Sequence, residues 1–439
     1  MSEIVLSGIG LVLAFALFAF LIFKGIHQAF VTILCAAFLA LFSADGFVSA
    51  FFTSFTGGIG TFVTAMAMVF ISGAMFGGVM NATGCGQSVA QQLIKWLGAK
   101  NAPYIILATT IICQLSGNTA YFIVVSIVAM PLLKSANLPR YIGMCAMLCG
   151  CMLGAFTLPG VPSSASVITS TYLGTSLYSA PLMSLVASVL GLSIGLFYIT
   201  KLTQNARKNN IGYDPTDELL FKEVPRDGNL PSFWIAVLPI FIIIGGVFVL
   251  TQVAHLKAAA AVIICQSAGT LIMTLLNWNR FATKTRIDAV TNGMVGILPM
   301  IISMGTITGF AAVAQTTPFY TWATSKILEL NVNPYVTTML VVAVICGLCA
   351  DSLGGLTMFG MSLAPVLLGM TGVNAEAVHR LAINTSQTID SLPWSSHAVM
   401  QLKVWGYSHR EQYKRIAICT ILFTSIMAVF ILICCLIFY

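Results

Sequence analysis

The chain has 439 residues, of which 58% are apolar and only 8% are charged, and its mean hydropathy is +0.95. So much apolar surface cannot be buried in a water-soluble domain of this length, so the composition predicts a polytopic membrane protein. The net charge of +7 comes from basic residues scattered at the ends of apolar windows rather than gathered in one stripe. That distribution argues against nucleic acid as a partner, so membrane lipid is the expected surrounding of this chain.

About ten apolar windows predict full membrane spans, because a helix of roughly 20 residues crosses the hydrocarbon core. The residue alternation that is typical of a β-barrel is absent, so the predicted fold class is all-α. In chain order the windows lie near 4–23, 28–44, 58–80, 140–157, 180–201, 233–251, 258–277, 287–312, 377–390 and 416–438.

Two further windows, 103–133 and 334–369, are interrupted by polar stretches that contain glycine. Each arm has about a dozen apolar residues, which are too few to cross the bilayer alone. Irregular backbone at that depth is tolerated only where it lines a cavity or lies within protein. We therefore expect two re-entrant hairpins. With both termini outside the cytoplasm, most Lys and Arg residues then lie on the cytoplasmic side, as the positive-inside rule requires.

A polar stretch at 202–232 separates two hydrophobic halves and is predicted to be a cytoplasmic linker. The halves, 1–201 and 233–439, share short motifs at an offset of about 232 positions. Because one half starts outside and the other starts inside, we interpret them as inverted repeats, which are typical of secondary transporters. The aligned motifs are Ser163-Ser-Ala-Ser-Val167 with Ser395-Ser-His-Ala-Val399, and Gly73-x-x-x-Gly77 with Gly305-x-x-x-Gly309.

Two acidic residues lie within the apolar windows, Asp351 at the tip of the second hairpin and Asp390 at the end of a span. A carboxylate at this depth persists where it pairs, binds an ion or contacts water, so both are predicted to handle the coupling ion. The alternative is that each caps a half-helix, which the position of Asp390 before Pro393 favours. His397 could relay a proton, whereas His379 is expected at the membrane interface.

Serine clusters follow the prolines at which helices restart, and the start of a half-helix offers free N–H groups to a carboxylate. We expect an organic anion to be held by hydroxyls and helix starts, without a dedicated buried arginine. The alternative is that these small residues only allow close helix packing. The candidate ligands are Ser116, Asn118, Ser163, Ser164, Ser352, Ser395 and Ser396.

No ATP-binding loop and no hydrolase motif occurs in the sequence, so we predict a transporter driven by an ion gradient and not an enzyme. The 12 cysteines lie mostly in apolar windows, where thiols behave as small hydrophobes, so neither a metal site nor a cofactor is expected. A passive channel and a non-transporting scaffold remain as alternatives.

The stretch from 390 to 414 resembles the C-terminal signature of the gluconate permease family. The resemblance rests on Asp390-Ser-Leu-Pro393, Ala398-Val399 and Gly406-Tyr-Ser-His-Arg-Glu-Gln-Tyr-Lys414. In the first half, the segments that follow the family's order and spacing are Ser72-Gly-Ala-Met75, Gly84-x-Gly86-Gln-Ser-Val-Ala90, Leu97-Gly98 and Pro131-Leu-Leu133.

The resemblance implies a proton-coupled symporter of small carboxylates in a bacterial cytoplasmic (inner) membrane. Gluconate, 3-hydroxybutyrate and short-chain monocarboxylates are the expected substrates, while sodium coupling and a homodimer stay open. The family often has His after the Leu-Pro of its motif, where this chain has Trp394. The extra aromatic residue favours a smaller, less hydroxylated anion and makes Trp394 a further candidate for substrate binding.

Overall fold

The computed structural model describes residues 2–117, 121–214, 230–280, 283–329, 332–349, 351–393 and 395–439. Within these ranges the regular elements are helices, so the predicted all-α class is confirmed. Those of the first half are α1 (Ser2–Phe23), α2 (Gln28–Ala40), α3 (Phe47–Ser49), α4 (Thr56–Thr83), α5 (Cys85–Leu97), α6 (Ala102–Gln114), α7 (Tyr121–Ser135), α8 (Arg140–Cys151), α9 (Ser164–Leu173) and α10 (Pro181–Lys208). Those of the second half are α11 (Phe233–Phe248), α12 (Ala258–Leu276), α13 (Thr283–Gln315), α14 (Pro318–Glu329), α15 (Pro334–Cys349), α16 (Ser352–Ser362), α17 (Ala364–Leu368), α18 (Ala375–Ser386), α19 (Ser396–Val404), α20 (His409–Ala417) and α21 (Phe423–Phe438).

Eight helical stretches in the described part of the chain are long and apolar enough to cross a membrane. Shorter apolar helices include Gln28–Ala40 and Ala102–Gln114, and the window expected at 377–390 is largely the 12-residue helix α18. The count of about ten full spans therefore stays a prediction. The eight stretches are Glu3–Ile22, Phe47–Thr83, Arg140–Thr157, Pro181–Lys208, Phe233–Val253, Ala258–Leu276, Thr285–Gln315 and His409–Phe438.

Two long helices, α4 and α13, pack along each other through glycines. A Cβ on Gly78 would collide with the carbonyl oxygen of Ala289, and a Cβ on Gly58 would lie 2.7 Å from the Cα of Gly309. Removing side chains from an interface lets two backbones approach closely within the membrane, so this pair packs tightly across the two halves. Of the motif glycines predicted to serve packing, Gly309 does so here.

Helix α10 continues past 201 to Lys208, so the first residues of the predicted linker are helical. Polar residues can extend a helix beyond the hydrocarbon core, where water satisfies the outer side chains. Residues 215–229 of the linker lie outside the described residues. Helix α11 begins at Phe233, and Ser232 caps this helix by accepting a hydrogen bond from the Ile235 N–H.

Each predicted hairpin consists of two neighbouring helices that pack together, α6 with α7 and α15 with α16. The helix α8 continues through a π-helical segment, Met152–Thr157, and then breaks before α9. In the same way α18 breaks before α19. The segments at these two breaks, 158–163 and 387–395, contain or adjoin the candidate residues described next.

Candidate functional site

The break between α18 and α19 buries the aspartate that the sequence singles out. Asp390 is 5% exposed, and its carboxylate accepts a 2.8 Å hydrogen bond from the Ser391 hydroxyl. Tyr413 in α20 donates a 3.1 Å bond to the Ser391 carbonyl, and His409 hydrogen-bonds the Pro393 carbonyl at 2.7 Å. The break is therefore held from the following span, and its carboxylate is kept inside the protein.

The tip of the second hairpin lies beside this break. Asp351 caps α16 by accepting hydrogen bonds from the N–H groups of Leu353 and Gly354, at 3.2 and 3.4 Å. Its carboxyl is near enough to Asp390 for the two to interact electrostatically, and Ser352, the first residue of α16, lies beside Asp390. Capping of a half-helix, which was the alternative for both aspartates, is therefore observed for Asp351. The two candidate coupling residues lie in one site.

The two aligned serines occupy equivalent positions at the restarted helices. Ser163 caps α9 by accepting a 3.2 Å bond from the Ser166 N–H, and the Ala398 N–H donates a 3.1 Å bond to the Ser395 hydroxyl at the start of α19. Both side chains are buried. Each hydroxyl satisfies one N–H of its own helix and leaves the neighbouring N–H groups of the first turn for a ligand.

The tip of the first hairpin is held by a residue that sequence reasoning missed. Gln266, buried in α12, accepts a 2.8 Å bond from the Ser72 hydroxyl and donates a 3.1 Å bond to the Ser116 carbonyl. Gly117 follows with φ of +71°, and a Cβ there would collide with the Pro162 carbonyl. The first tip therefore lies against the first break and is fastened to the α4–α12 pair.

Three buried polar atoms around the second break have no hydrogen-bond partner among the described residues. They are Thr385 Oγ1, Gln387 Oε1 and His397 Nε2. An unpaired polar atom inside a protein costs about 1–3 kcal/mol, so such a group in a native structure calls for an explanation. These atoms mark the second break as a place where a ligand or ion would gain hydrogen bonds. Thr385 and Gln387 were not among the predicted ligands.

A polar stripe on α18 joins the second half to the first. Its members Glu376, His379, Arg380 and Asn384 lie at i, i+3, i+4 and i+8, so they share one face of the helix. His379 and Arg380 are fully buried. His379 was expected at the membrane interface, and its burial within the protein near the start of α18 does not contradict that depth. The expectation that no buried arginine holds the substrate stays a prediction, because Arg380 donates to backbone carbonyls of the first half. The Thr157 hydroxyl donates a 3.0 Å bond to the Asn384 carboxamide, which brings the α18 stripe to the end of the first interrupted helix.

Two of the other predicted ligands have described side chains, and neither caps a restarted helix. Ser164 is the first residue of α9 and is partly exposed, and the Ser116 hydroxyl donates a 2.8 Å bond to the Cys113 carbonyl in the last turn of α6. Asn118 and Trp394 lie outside the described residues, as does the side chain of Ser396. Within the described ranges, no group of three or more His, Cys, Asp or Glu could hold a metal ion.

Comparison with known proteins identifies relatives along nearly the whole chain. The model of the GntP family permease matches residues 6–437. A curated protein of Bacillus subtilis (strain 168), named uncharacterized transporter YxjC, is 24% identical over 463 residues, which cover 94% of this chain and 96% of that protein. These matches span both halves and both breaks.

Two solved structures share the fold at low sequence identity. The Alcanivorax borkumensis YdaH transporter has a TM-score of 0.59 at 13% identity and covers 97% of both chains. Neisseria gonorrhoeae MtrF, described as illustrating a class of antimetabolite efflux pumps, has a TM-score of 0.54 at 11% identity, covering 90% of this chain and 85% of its own. At these identities the likeness shows the fold of a multi-pass transporter.

Proposed function

The chain belongs to the GntP permease family, and we propose that it is a proton-coupled symporter of small organic carboxylates. Membership of that family makes it a multi-pass membrane transporter. The proposal adds a substrate class, a coupling ion and a bacterial cytoplasmic membrane with both termini outside the cytoplasm. 3-Hydroxybutyrate and short-chain monocarboxylates are preferred to gluconate on account of Trp394.

The observation that carries the proposal is the proximity of Asp351 and Asp390 beside the orphaned polar atoms of the second break. Two buried carboxylates repel each other, so a proton or a small cation bound between them stabilises the pair. The same binding event prepares the site for an organic anion, because it removes negative charge from the pocket that the anion enters. Coupling of an anion to a cation follows from this electrostatics.

The substrate carboxylate is assigned to the starts of α9 and α19. Helix N-termini present free N–H groups and a positive dipole end, which favour an anion. Ser163 and Ser395 fix these starts, and Thr385, Gln387 and His397 offer further hydrogen bonds beside the second one. The substrate would then contact both halves of the transporter.

An inverted-repeat organisation supports a site between the halves. Helices of similar length begin at positions about 232 residues apart, such as α6 with α15 and α9 with α19. The contacts between the halves follow the same relationship, because α9 of the first half packs on α16 of the second and α19 of the second half packs on α7 of the first. Secondary transporters built from inverted repeats bind substrate near the midplane at the repeat interface.

Sodium coupling is the second candidate, favoured by the oxygen atoms that surround the acidic pair. Ser352 and Ser391 place hydroxyls beside the carboxylates, and hard cations prefer oxygen ligands. Purified protein in liposomes distinguishes the two candidates. Accumulation of labelled 3-hydroxybutyrate driven by an inward proton gradient, unchanged when choline replaces sodium, supports proton coupling. Accumulation that requires a sodium gradient refutes it, and equilibration without accumulation indicates a passive facilitator.

The substrate class needs a separate measurement. A thermal-shift screen of gluconate, 3-hydroxybutyrate and butyrate across pH reports binding, since a ligand stabilises the state that it binds. We expect 3-hydroxybutyrate to raise the melting temperature more than gluconate does. Trp394→His should reverse that order, and an order that favours gluconate in the unaltered protein would contradict the role given to Trp394.

A further inference from the structure

Arg380 joins α18 to the segment that follows α9 in the other half of the chain. Its Nε donates a 2.6 Å hydrogen bond to the Ser179 carbonyl, and its Nη2 donates to the Leu177 carbonyl. The side chain is fully buried. A guanidinium fork can hold two backbone oxygens at once, which an ammonium group does less well.

Two more residues of the α18 stripe hold the same segment. Glu376 accepts a 3.0 Å bond from the Ala180 N–H, and His379 Nδ1 shares a 2.6 Å bond with the Thr175 hydroxyl. Ala180 has φ of +43°, a conformation that is unfavourable for a residue with a side chain and persists only where the surroundings hold it. We call the contacts of Arg380, Glu376 and His379 with residues 175–180 the α18 latch.

A second arginine makes the reciprocal contact. Arg140, the first residue of α8, donates from Nη1 to the Trp405 carbonyl at 2.6 Å and to the Gly406 carbonyl at 3.4 Å. Its guanidinium lies 4.4 Å from the centre of the Tyr407 ring. We call these contacts the α8 latch. Here an interrupted helix of the first half holds the segment that follows α19 in the second.

The two latches lie at opposite ends of the span His409–Phe438. The α8 latch holds the residues directly before its start, whereas Ala377, one turn from Arg380, accepts a contact from the Cys435 thiol near its end, at 3.9 Å. A helix of that length extends about 45 Å at 1.5 Å per residue, which exceeds the thickness of the hydrocarbon core. One latch therefore lies at each membrane face.

We propose that Arg380 and Arg140 are positioning residues for transport, and that the two latches close the central site toward opposite faces of the membrane. Each arginine belongs to the interrupted helix that leads into a break, α18 into 387–395 and α8 into 158–163. Release of one latch separates the halves at that face, while the other latch keeps them together. The inference rests on the proposed transport function, since alternating access requires the site to open to one face at a time.

The test measures the face from which the central site is reached. Ala165→Cys at the start of α9 supplies a buried thiol next to Ser163 and leaves the cap in place. A membrane-impermeant maleimide is applied to right-side-out and inside-out vesicles that carry Arg380→Lys, Arg140→Lys or neither change. Protein without Ala165→Cys gives the background, because apart from Cys434 the cysteines whose burial is described are buried.

We expect Arg380→Lys to raise labelling from the face of the α18 latch and Arg140→Lys to raise it from the opposite face. If a variant loses roughly 1.4 kcal/mol of the free energy that favours the closed state at one face, the ratio of labelling from the two faces changes by about tenfold. Equal changes at both faces, changes toward the same face, or no change in either variant would overturn the proposal.

Milder variants keep the proposal testable if an arginine variant does not fold. Glu376→Ala and Tyr407→Leu weaken one latch each and alter exposed or half-buried residues. They should shift labelling in the same opposite directions as the arginine variants. Labelling needs no substrate, so it tests the latches independently of the substrate. If the protein transported neither 3-hydroxybutyrate nor gluconate, that result would refute only the proposed substrate class.

Discussion

Asp390 is the residue on which the coupling proposal depends most directly. Its carboxyl can take up and release a proton, whereas an amide of the same size cannot. Asp390→Asn should therefore abolish accumulation driven by a pH gradient, while the protein still binds 3-hydroxybutyrate, because the amide keeps an acceptor for the Ser391 hydroxyl. Uptake into proteoliposomes and thermal shift measure the two effects separately.

Asp45→Asn is the matched control for that change, since Asp45 is an exposed aspartate in the turn after α2. It should leave accumulation unchanged. Full gradient-driven accumulation by Asp390→Asn would remove this residue from coupling and leave Asp351 as the carboxyl to test.

The two capping serines allow a second test at the residue scale. Ser163→Ala and Ser395→Ala each remove a cap from a restarted helix, so each should lower the free energy of unfolding by about 1 kcal/mol. Serine-to-threonine changes at the same positions keep the hydroxyl and should restore most of the melting temperature. If alanine and threonine had equal effects at either site, that hydroxyl would not act as a cap.

The roles of single residues could be predicted where a sequence motif specified them. They could not be predicted where contacts between distant parts of the chain determine them. The alignment of Ser163 with Ser395 predicted two equivalent helix starts, and both are capped. His379, next to Arg380, was expected at the membrane interface because polar residues at the end of an apolar window usually lie there, but the contacts that bury both side chains were not predicted. Their spacing with Glu376 puts them on one helix face. That spacing was visible in the sequence, but the partner segment at 175–180 was not.

At the scale of elements, Gln266 fastens the first hairpin tip to the helices behind it. Gln266→Leu removes both bonds, which leaves the Ser116 carbonyl without its side-chain donor and the Ser72 hydroxyl with the Val69 carbonyl as its acceptor. We expect faster hydrogen–deuterium exchange in residues 107–117 and a raised KM for 3-hydroxybutyrate, since the tip contributes to the site.

Gln252→Leu is the control for this element, because Gln252 is a glutamine outside the site that bonds the Ser176 hydroxyl at 2.7 Å. It should leave exchange in residues 107–117 unchanged. Exchange that does not differ between Gln266→Leu and the unaltered protein would show that the tip is held by its backbone packing alone.

The glycine interface between α4 and α13 gives another prediction for the elements. Gly78→Ala places a methyl group against the Ala289 carbonyl, so it should lower the free energy of unfolding by about 1–3 kcal/mol. Gly60→Ala lies in the same helix with open space around its Cβ, and alanine there should be neutral or stabilising. Equal melting temperatures for the two variants would contradict close packing at Gly78.

Helix positions in this chain follow from its apolar windows, whereas helix partners do not. The windows predicted most elements because membrane helices must satisfy their own backbone groups and so need long apolar runs. The windows at 140–157 and 377–390 did not predict the π-helical segment Met152–Thr157 or the shortness of α18, and no window covers α19. Their ends are set by contacts between the halves, such as the bond from Thr157 to Asn384.

At the scale of the whole molecule, the offset of about 232 residues predicts more than the motifs that revealed it. It relates whole helices, and the packing of α9 on α16 recurs as that of α19 on α7. The halves nevertheless differ in chemistry. The acidic pair lies in the second half, and the glutamine anchor holds the tip of the first. We infer that ion coupling belongs to the second half, whereas both halves contribute to substrate binding.

The orientation of the chain in the membrane decides which latch faces the cytoplasm. Between Asp45 and Lys208 the proposed topology has three crossings, made by α4, by the interrupted α8–α9 pair and by α10. Asp45→Cys should therefore be labelled by an impermeant maleimide in right-side-out vesicles, and Lys208→Cys in inside-out vesicles. The opposite pattern would place both termini in the cytoplasm and exchange the faces of the latches. Labelling of both cysteines from one face would contradict the three crossings, because an odd number must separate the two positions.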